Sequence, residues 1–235
     1  YWLHNAKRAK EAGIKVPLSM AYRLFKPEIA DKAIADGIID IWEMCRPMIA
    51  DPHLPKKVLE GHLKDIRPCV ACNLCLARLF RDAPMTCKVN PLVAHEWDPQ
   101  WQIKPAEEKK KVMIVGGGPA GLECARVAAL RDYDVHLYEK RNILGGQIFT
   151  ASKGPYGDEE LYGVIDWLNT QCNKAGVNLH LNTTVTPEMI EEEFPDVVVI
   201  ATGANFVVEK VPGSDKHNVV AAPDVLEGKV ETGDK

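Results

Sequence analysis

The sequence has no apolar run long enough to cross a bilayer, and nothing at its start resembles a signal peptide. It also lacks a basic excess. The 29 Lys and Arg residues against 33 Asp and Glu give a net charge of −4, which argues against nucleic acid or an anionic membrane as a partner. No internal repeat or low-complexity segment is present. Seven cysteines without an export signal predict a cytoplasmic protein whose thiols serve metals rather than disulfides.

Short apolar runs alternate with helical patterns in the first part of the chain. We predict helices over 4–12 and from Pro27 to just before Gly37, with strands over 16–20 and 38–42. This alternation implies a parallel sheet. Because two β-α units cannot cover both faces of such a sheet, this part should belong to something larger.

Regular periodicity is weak between Cys45 and Trp101, where prolines are frequent and a helix is predicted only over 56–60. A charged linker at 107–111 follows. Beyond it, strands alternate again with helices, so the fold class is α/β. The predicted strands lie at 112–115, 135–138, 177–181 and 197–201, and the predicted helices run to about 131 and over 159–175. We divide the chain into segments 1–66, 67–104 and 105–235.

Three glycines in a G-x-G-x-x-G pattern follow a buried strand and open a helix. Gly116 permits the tight turn, Gly118 lets the backbone approach a pyrophosphate at the helix N-terminus, and Gly121 allows close packing of helix on strand. Glu139 ends the next strand, 18 residues after Gly121, where it can bind an adenosine ribose and disfavours a 2′-phosphate. The spacing alone does not separate FAD from NAD, and a glycine-rich turn without ligand is the remaining alternative.

A cysteine cluster lies in the loop-rich stretch. Cys69, Cys72, Cys75 and Cys87 form a C-x2-C-x2-C-x11-C pattern, so four of the seven thiols fall within 19 residues. Cubane clusters take four thiolates, and the three-plus-one spacing favours [4Fe–4S]. Structural zinc sites usually show two closely spaced pairs of ligands, which fits this spacing less well. Thiols without metal are the third alternative.

The order of these segments resembles that of one family. The chain resembles the iron–sulfur flavoenzyme branch of the old yellow enzyme family in the order of four features. These are the β-α units, the loop CRPMIADP at 45–52, the cysteine cluster running into CKVNP at 87–91, and a Gly-rich nucleotide domain. That branch includes 2,4-dienoyl-CoA reductase and trimethylamine dehydrogenase, and the similarity spans nearly all 235 residues. The motifs LGGQ at 144–147 and ATG at 201–203 resemble flavoprotein signatures and favour FAD over NAD in this domain.

The resemblance implies the C-terminal end of an FMN-binding (β/α)8 barrel, a [4Fe–4S] segment and a Rossmann-like FAD/NAD(P)-binding domain truncated before its NAD(P)H-binding half. A barrel needs about 250 residues, so we expect an internal fragment of a longer enzyme. Arg23 and Arg46 match arginines near the FMN phosphate. The predicted cofactor-binding residues of the nucleotide domain are Gly116, Gly118, Pro119, Ala120, Gly121, Glu139, Lys140, Gly146, Gln147, Val185, Ala201, Thr202 and Gly203.

The implied activity is that of an NAD(P)H:flavin oxidoreductase. Electrons would pass between NAD(P)H/FAD and FMN through the [4Fe–4S] cluster to reduce a small unsaturated, enoyl-CoA-like substrate. One alternative is an amine dehydrogenase of the trimethylamine dehydrogenase type, with ADP in place of FAD and an electron-transfer flavoprotein as partner. The C-x2-C-x2-C opening is closer to that type. A non-catalytic electron-transfer or nucleotide-binding module and a zinc-stabilised NAD-binding domain are further alternatives, and a homo-oligomer is a second partner hypothesis.

Overall fold

A computed structural model describes residues 2–21, 23–154, 158–207 and 210–233. The chain divides into two compact units, 1–102 and 103–235. None of the helices in these described ranges is both long and apolar enough to cross a membrane. The boundary between the units lies close to the start of the third predicted segment, while the division of the first unit at 66/67 stays a prediction.

The first unit begins with two β-α repeats. Its first elements are α1 (Leu3–Glu11), β1 (Ser19–Met20), α2 (Pro27–Ala35) and β2 (Ile41–Trp42). The two strands pair in parallel, as predicted, with Ser19 opposite Ile41. Each is shorter than its apolar run, because a two-stranded ladder pairs only the residues that face each other. Buried Ala6, Leu24, Ala30, Ala33 and Ile39 form the core of these repeats.

The rest of the first unit is made of short helices and loops. They are α3 (Arg46–Ala50), α4 (Leu54–Leu59), a 3-10 turn (Leu63–Asp65) and α5 (Leu74–Leu79). The predicted helix at 56–60 is present but begins two residues earlier. Helices α3 and α5 were not predicted, because five or six residues are too few to show an apolar stripe of helical period.

The second unit is a parallel α/β layer structure, as the sequence predicts. Its four strands follow the order β5-β4-β3-β6. Helices α6 and α8 pack together and α7 packs on α8. The elements are β3 (Lys111–Val115), α6 (Pro119–Leu130), β4 (Asp134–Tyr138), α7 (Gln147–Ser152), α8 (Asp158–Lys174), β5 (Asn178–His180), α9 (Pro187–Glu193), β6 (Val197–Ile200) and α10 (Ala222–Leu226).

Strand β3 lies at the centre of this sheet. Its Val112, Met113 and Ile114 are almost fully buried, which explains the unbroken apolar run in the sequence. The chain continues from β3 to β4 on one side, and β6 later pairs on the other side. The strand order therefore reverses at β3, and ligands of such sheets bind at the carboxyl ends of the strands where this reversal occurs.

One sheet face carries two histidines on adjacent strands. His136 Nδ1 lies 3.2 Å from His180 Nε2, and the Tyr138 ring stacks on the His180 ring with centroids 4.4 Å apart. Burial lowers the pKa of His180 below its ordinary value, and the neighbouring His136 lowers it further, while Glu193 opposes the shift. His180 therefore favours the neutral imidazole.

Candidate functional site

The carboxyl ends of β3, β4 and β6 bring the predicted nucleotide residues together. The Gly116 N–H donates to the carbonyl of Tyr138 at 2.8 Å, and the Ala201 N–H donates to the carbonyl of Val115 at 2.8 Å. These two backbone bonds place the glycine turn between the ends of its two neighbouring strands. Residues far apart in sequence thereby line one edge of the sheet.

The three fingerprint glycines meet three different constraints. Gly116 has φ +115°, and a Cβ there would lie 2.3 Å from the Ala201 carbonyl oxygen. A Cβ on Gly121 would lie 1.9 Å from the Gly116 carbonyl oxygen. Gly118 is different, since the nearest atom to its Cβ would be Gly146 Cα at 3.9 Å. The fold therefore requires the first and third glycines, while a Cβ on the second would make only an ordinary van der Waals contact beside the N-terminus of α6.

Glu139 is buried and held by the backbone. One carboxylate oxygen accepts from the Gly117 N–H at 2.8 Å and the other from the Arg141 N–H at 2.9 Å. Each oxygen retains a further lone pair that a ribose hydroxyl can use. A Cβ on Gly117 would lie 2.6 Å from Leu144 Cδ2 and 3.0 Å from Glu139 Cβ. Sequence reasoning missed Gly117, although the run of three glycines was its signal.

The second glycine motif closes over the first. Gly146 has φ +51°, and a Cβ there would lie 3.2 Å from Gly118 Cα. Gln147 follows at the start of α7, and its Nε2 donates to the Ala204 carbonyl at 3.0 Å. This bond links the predicted Gly146 and Gln147 to the loop after β6, which carries Ala201, Thr202 and Gly203.

The remaining predicted residues of this domain lie around the same edge. Pro119 and Ala120 form the first turn of α6. Lys140, Thr202 and Gly203 are exposed. Val185 is half-buried in the connection from β5 to α9, and the Thr183 N–H in this connection donates to the Glu139 carbonyl at 2.9 Å. Direct roles in cofactor binding for these residues stay predictions.

A carboxylate network that the sequence did not indicate stabilises this edge. Glu227, just after α10, accepts hydrogen bonds from Thr150 and from the Arg141 guanidinium, whose Nη1 lies 3.3 Å away. Lys229 approaches it to 3.1 Å. The hydrogen bond from Thr150, with help from Lys229 and Arg141, lowers the pKa of Glu227. Because Arg141 and Glu227 are 86 residues apart, no local pattern could have revealed the pair.

The four predicted cluster cysteines line one concavity in the first unit. Cys72 is exposed and the other three are half-buried. In the described part of the chain, no three His, Cys, Asp or Glu side chains converge as ligands of a single ion. The full lining is Arg46, Ile49, Cys69, Val70, Cys72, Asn73, Cys75, Cys87, Lys88 and Val89.

This arrangement fits the donor set of a four-iron cluster. A tetrahedral zinc ion needs four ligand atoms at bonding distance from one centre. In a [4Fe–4S] cluster each thiolate binds a different iron, so the sulfurs stand further apart. Burial raises the pKa of the Cys69 thiol, while a backbone hydrogen bond from Ala71 and the charge of Arg46 oppose that rise. Metal binding favours the thiolate form, as the hydrogen bond from Ala71 and the charge of Arg46 do.

The two arginines predicted for the FMN phosphate lie in different surroundings. Arg23 is exposed in the loop between β1 and α2, with φ +60°. Arg46 begins α3, donates from Nη1 to the Asn73 side-chain carbonyl, and lies with Cζ 5.2 Å from the centre of the Phe25 ring. The side chain of Arg46 is thus directed to the cysteine concavity, and the FMN role of both residues stays a prediction.

Two buried polar residues fix the loops that carry the cysteines. Asp51 accepts from the Lys57 ammonium at 2.6 Å and from the Arg67 N–H at 2.8 Å. Asn90 accepts from Arg67 Nη1 at 2.7 Å and donates to the Ile49 carbonyl at 2.9 Å. These bonds join α3 to the chain just before the first cysteine and just after the last. Asp51 and Asn90 belong to two motifs that the sequence analysis singled out, at 45–52 and 87–91, but their role in fixing the loops was not predicted.

Comparison with known proteins first gives the class of the second unit. Residues 114–169 match the family model of an NAD(P)-binding Rossmann-like domain. The match begins in β3 and covers the glycine turn, Glu139 and most of α8, in agreement with the strand order and the turn geometry.

Sequence and structure alignments with individual proteins extend over nearly the whole chain. An NADH oxidase of Thermoanaerobacter brockii is 41% identical over 92% of this chain and 34% of its own length. A probable N-methylproline demethylase of Rhizobium meliloti is 37% identical over 94% of this chain and 32% of its own length. The structure of a 2-naphthoyl-CoA reductase in complex with 2-naphthoyl-CoA has a TM-score of 0.91 at 50% identity, covering 99% of this chain and 35% of that one.

These findings confirm the resemblance inferred from the motifs. Over nearly its whole length the chain is similar to flavoenzymes of the old yellow enzyme and trimethylamine dehydrogenase type. It spans about a third of the length of the curated relatives it matches. The activity of the whole protein is therefore a matter for proposal.

Proposed function

We propose that this chain is the electron-relay segment of an NAD(P)H-dependent iron–sulfur flavoprotein that reduces an unsaturated, enoyl-CoA-like substrate. The observation that carries the proposal is the common concavity lined by Cys69, Cys72, Cys75 and Cys87. In such a protein a [4Fe–4S] cluster supplies one-electron transfer between two-electron flavins. The chain's own residues hold the ligands in place and position the nucleotide.

The nucleotide role rests on the edge of the second unit. The N-terminus of α6 presents backbone N–H groups to an anion, and the open side of Gly118 admits a pyrophosphate. Glu139, fixed by the Gly117 and Arg141 N–H groups, offers acceptor capacity to a ribose. We assign FAD to this edge and expect ADP in its place if the protein is of the amine dehydrogenase type.

The substrate class is proposed from similarity. The 2-naphthoyl-CoA reductase, at 50% identity, has in its name and in its complex the CoA thioester of an aromatic acid, which favours an acyl-CoA substrate here. The N-methylproline demethylase, at 37% identity, favours an amine as the second candidate. Two assays separate these substrate classes. One measures NADH oxidation with an α,β-unsaturated acyl-CoA, and the other measures oxidation of a tertiary amine by an artificial electron acceptor.

The cluster can be tested directly. The protein is purified anaerobically, its iron, acid-labile sulfide and zinc are measured, and its visible spectrum is recorded before and after dithionite. We expect about four irons and four sulfides per chain, with a broad band that bleaches on reduction. Zinc without sulfide would refute the relay, and release of ADP alone on denaturation would refute the assignment of FAD.

A matched pair of cysteine variants links the result to the concavity. Cys87 lines it, whereas exposed Cys45 does not. Cys87→Ser should lose most of the iron, and Cys45→Ser should retain it. Equal iron content in the two variants would show that the concavity is not the cluster site.

A further inference from the structure

The wall of the cysteine concavity contains a cation that is hydrogen-bonded to the loop carrying the cysteines. Arg46 lines the concavity together with the four cysteines. Its guanidinium donates to the side chain of Asn73, which stands between Cys72 and Cys75 in the sequence. The Phe25 ring lies on the guanidinium, with 5.2 Å between Cζ and the ring centre. Two contacts thus hold one positive charge in the wall of the concavity that the four cysteines line.

The loop conformation supports this contact. Asn73 has φ +56°, a left-handed conformation that asparagine tolerates better than most residues, and it immediately precedes α5. This turn places its side-chain carbonyl at the end of α3, where Arg46 begins the helix. Arginine suits this position because its planar fork can donate to Asn73 while its face stacks on an aromatic ring.

We propose that the positive charge of Arg46, which Asn73 holds in place, raises the reduction potential of the cluster. The inference rests on the proposed function, since it requires a cluster on the four cysteines. Reduction adds negative charge to a site that already carries four thiolates, so a nearby cation stabilises the reduced form relative to the oxidised form. Water reaches Asn73 and reduces the effect, so we expect a moderate shift.

The experiment is an anaerobic redox titration of the protein with its cofactors, in which the electron paramagnetic resonance signal of the reduced cluster is followed. Arg46→Gln removes the charge, and Arg46→Lys retains it. Arg81→Gln removes an exposed cation of the same unit outside the concavity and serves as control. Iron, sulfide and FMN are measured in each variant.

Arg46→Gln should shift the equilibrium toward the oxidised cluster by roughly threefold to tenfold, or about 30 to 60 mV at 59 mV per tenfold change for one electron. Arg46→Lys and Arg81→Gln should stay within about twofold of wild type. A full cluster in Arg46→Gln with an unchanged midpoint would overturn the proposal. Equal shifts in the Gln and Lys variants would do the same, because shape and not charge would then be responsible.

A second variant, Asn73→Asp, tests the same proposal if the Arg46→Gln protein does not assemble its cluster. The aspartate retains the acceptor for Arg46 but adds a negative charge at the same contact, so the midpoint should fall. An unchanged midpoint in a fully loaded Asn73→Asp protein would overturn the proposal. Wild-type protein without iron and sulfide would instead refute the proposed function itself. The cluster signal is read separately from the flavin, so loss of FMN from a variant does not obscure the comparison.

Discussion

Alanine substitutions at Gly118 and Gly121 should separate nucleotide binding from folding. The two glycines are three residues apart on one turn, and both belong to the dinucleotide fingerprint. At Gly121 an added Cβ would lie 1.9 Å from a backbone oxygen, while at Gly118 the nearest atom is 3.9 Å away. Gly118 also has φ −78°, which alanine adopts without strain. The same methyl group therefore overlaps a backbone oxygen at Gly121 and makes only an ordinary van der Waals contact at Gly118.

The expected magnitudes differ accordingly. Overpacking typically costs about 1–3 kcal/mol, and the upper end applies to Gly121→Ala because the added Cβ would overlap a backbone atom and not the end of a flexible side chain. Alanine recovers about 0.5–1 kcal/mol of helix propensity, which leaves a net loss of about 2 kcal/mol and a melting temperature lower by roughly 5–12 °C. Gly118→Ala should cost less than about 1 kcal/mol. It should weaken nucleotide binding at least about tenfold, or about 1.4 kcal/mol, by occupying the pyrophosphate space.

Thermal unfolding and calorimetric titration with FAD and with ADP measure the two quantities on protein stripped of nucleotide. Both ligands carry the pyrophosphate, so both affinities should fall in Gly118→Ala. An affinity within about twofold of wild type would show that no pyrophosphate lies beside Gly118. A wild-type melting temperature in Gly121→Ala would refute the close packing of α6 on the turn.

Three further predictions concern polar groups. Glu139→Gln should lower stability by about 1–3 kcal/mol in urea unfolding, because an amide NH2 must face one of two backbone N–H donors; stability equal to wild type would contradict that arrangement. Asn90→Ala should lose at least half of the bound iron while far-ultraviolet circular dichroism stays unchanged, and full iron content would disprove the clamp. The folded-state pKa of His180 is below its ordinary 6.5, so the native state binds fewer protons than the unfolded state. The unfolding free energy of the protein should therefore fall as pH drops from above 6.5 toward that lower pKa. His180→Phe should flatten this slope, and an unchanged slope would contradict the lowered pKa of His180.

The nucleotide edge was predictable because its signals are local. The buried run of β3, the glycines and the carboxylate after β4 stand in one stretch, and each meets a constraint that a single turn or strand imposes. The β-α-β order then fixes a parallel sheet with few alternatives. Positions of the main strands and helices agree with the sequence patterns to within a few residues.

The missed features depend on contacts between distant residues. Glu227 meets Arg141 across 86 residues, and Asn90 reaches the Ile49 carbonyl across 41. The sequence around Glu227 and Asn90 does not indicate that these side chains have such distant partners. The sequence likewise did not determine the direction of the Arg46 side chain, since an arginine after a parallel strand can bind a phosphate or a neighbouring loop equally well. Only the fold shows that it reaches Asn73.

The cysteine loops show why side-chain hydrogen bonds matter most where regular structure is absent. Only one short helix, α5, lies between the first and last of the four thiols, so backbone ladders cannot hold the loops in place. Asp51 and Asn90, each 3% exposed, provide the fixed points instead. A buried acceptor or donor that loses its partner costs about 1–3 kcal/mol, so the loops cannot move apart without that penalty at several atoms. The thiols are therefore held around one space by the protein itself, which lowers the ordering cost of any group that binds there.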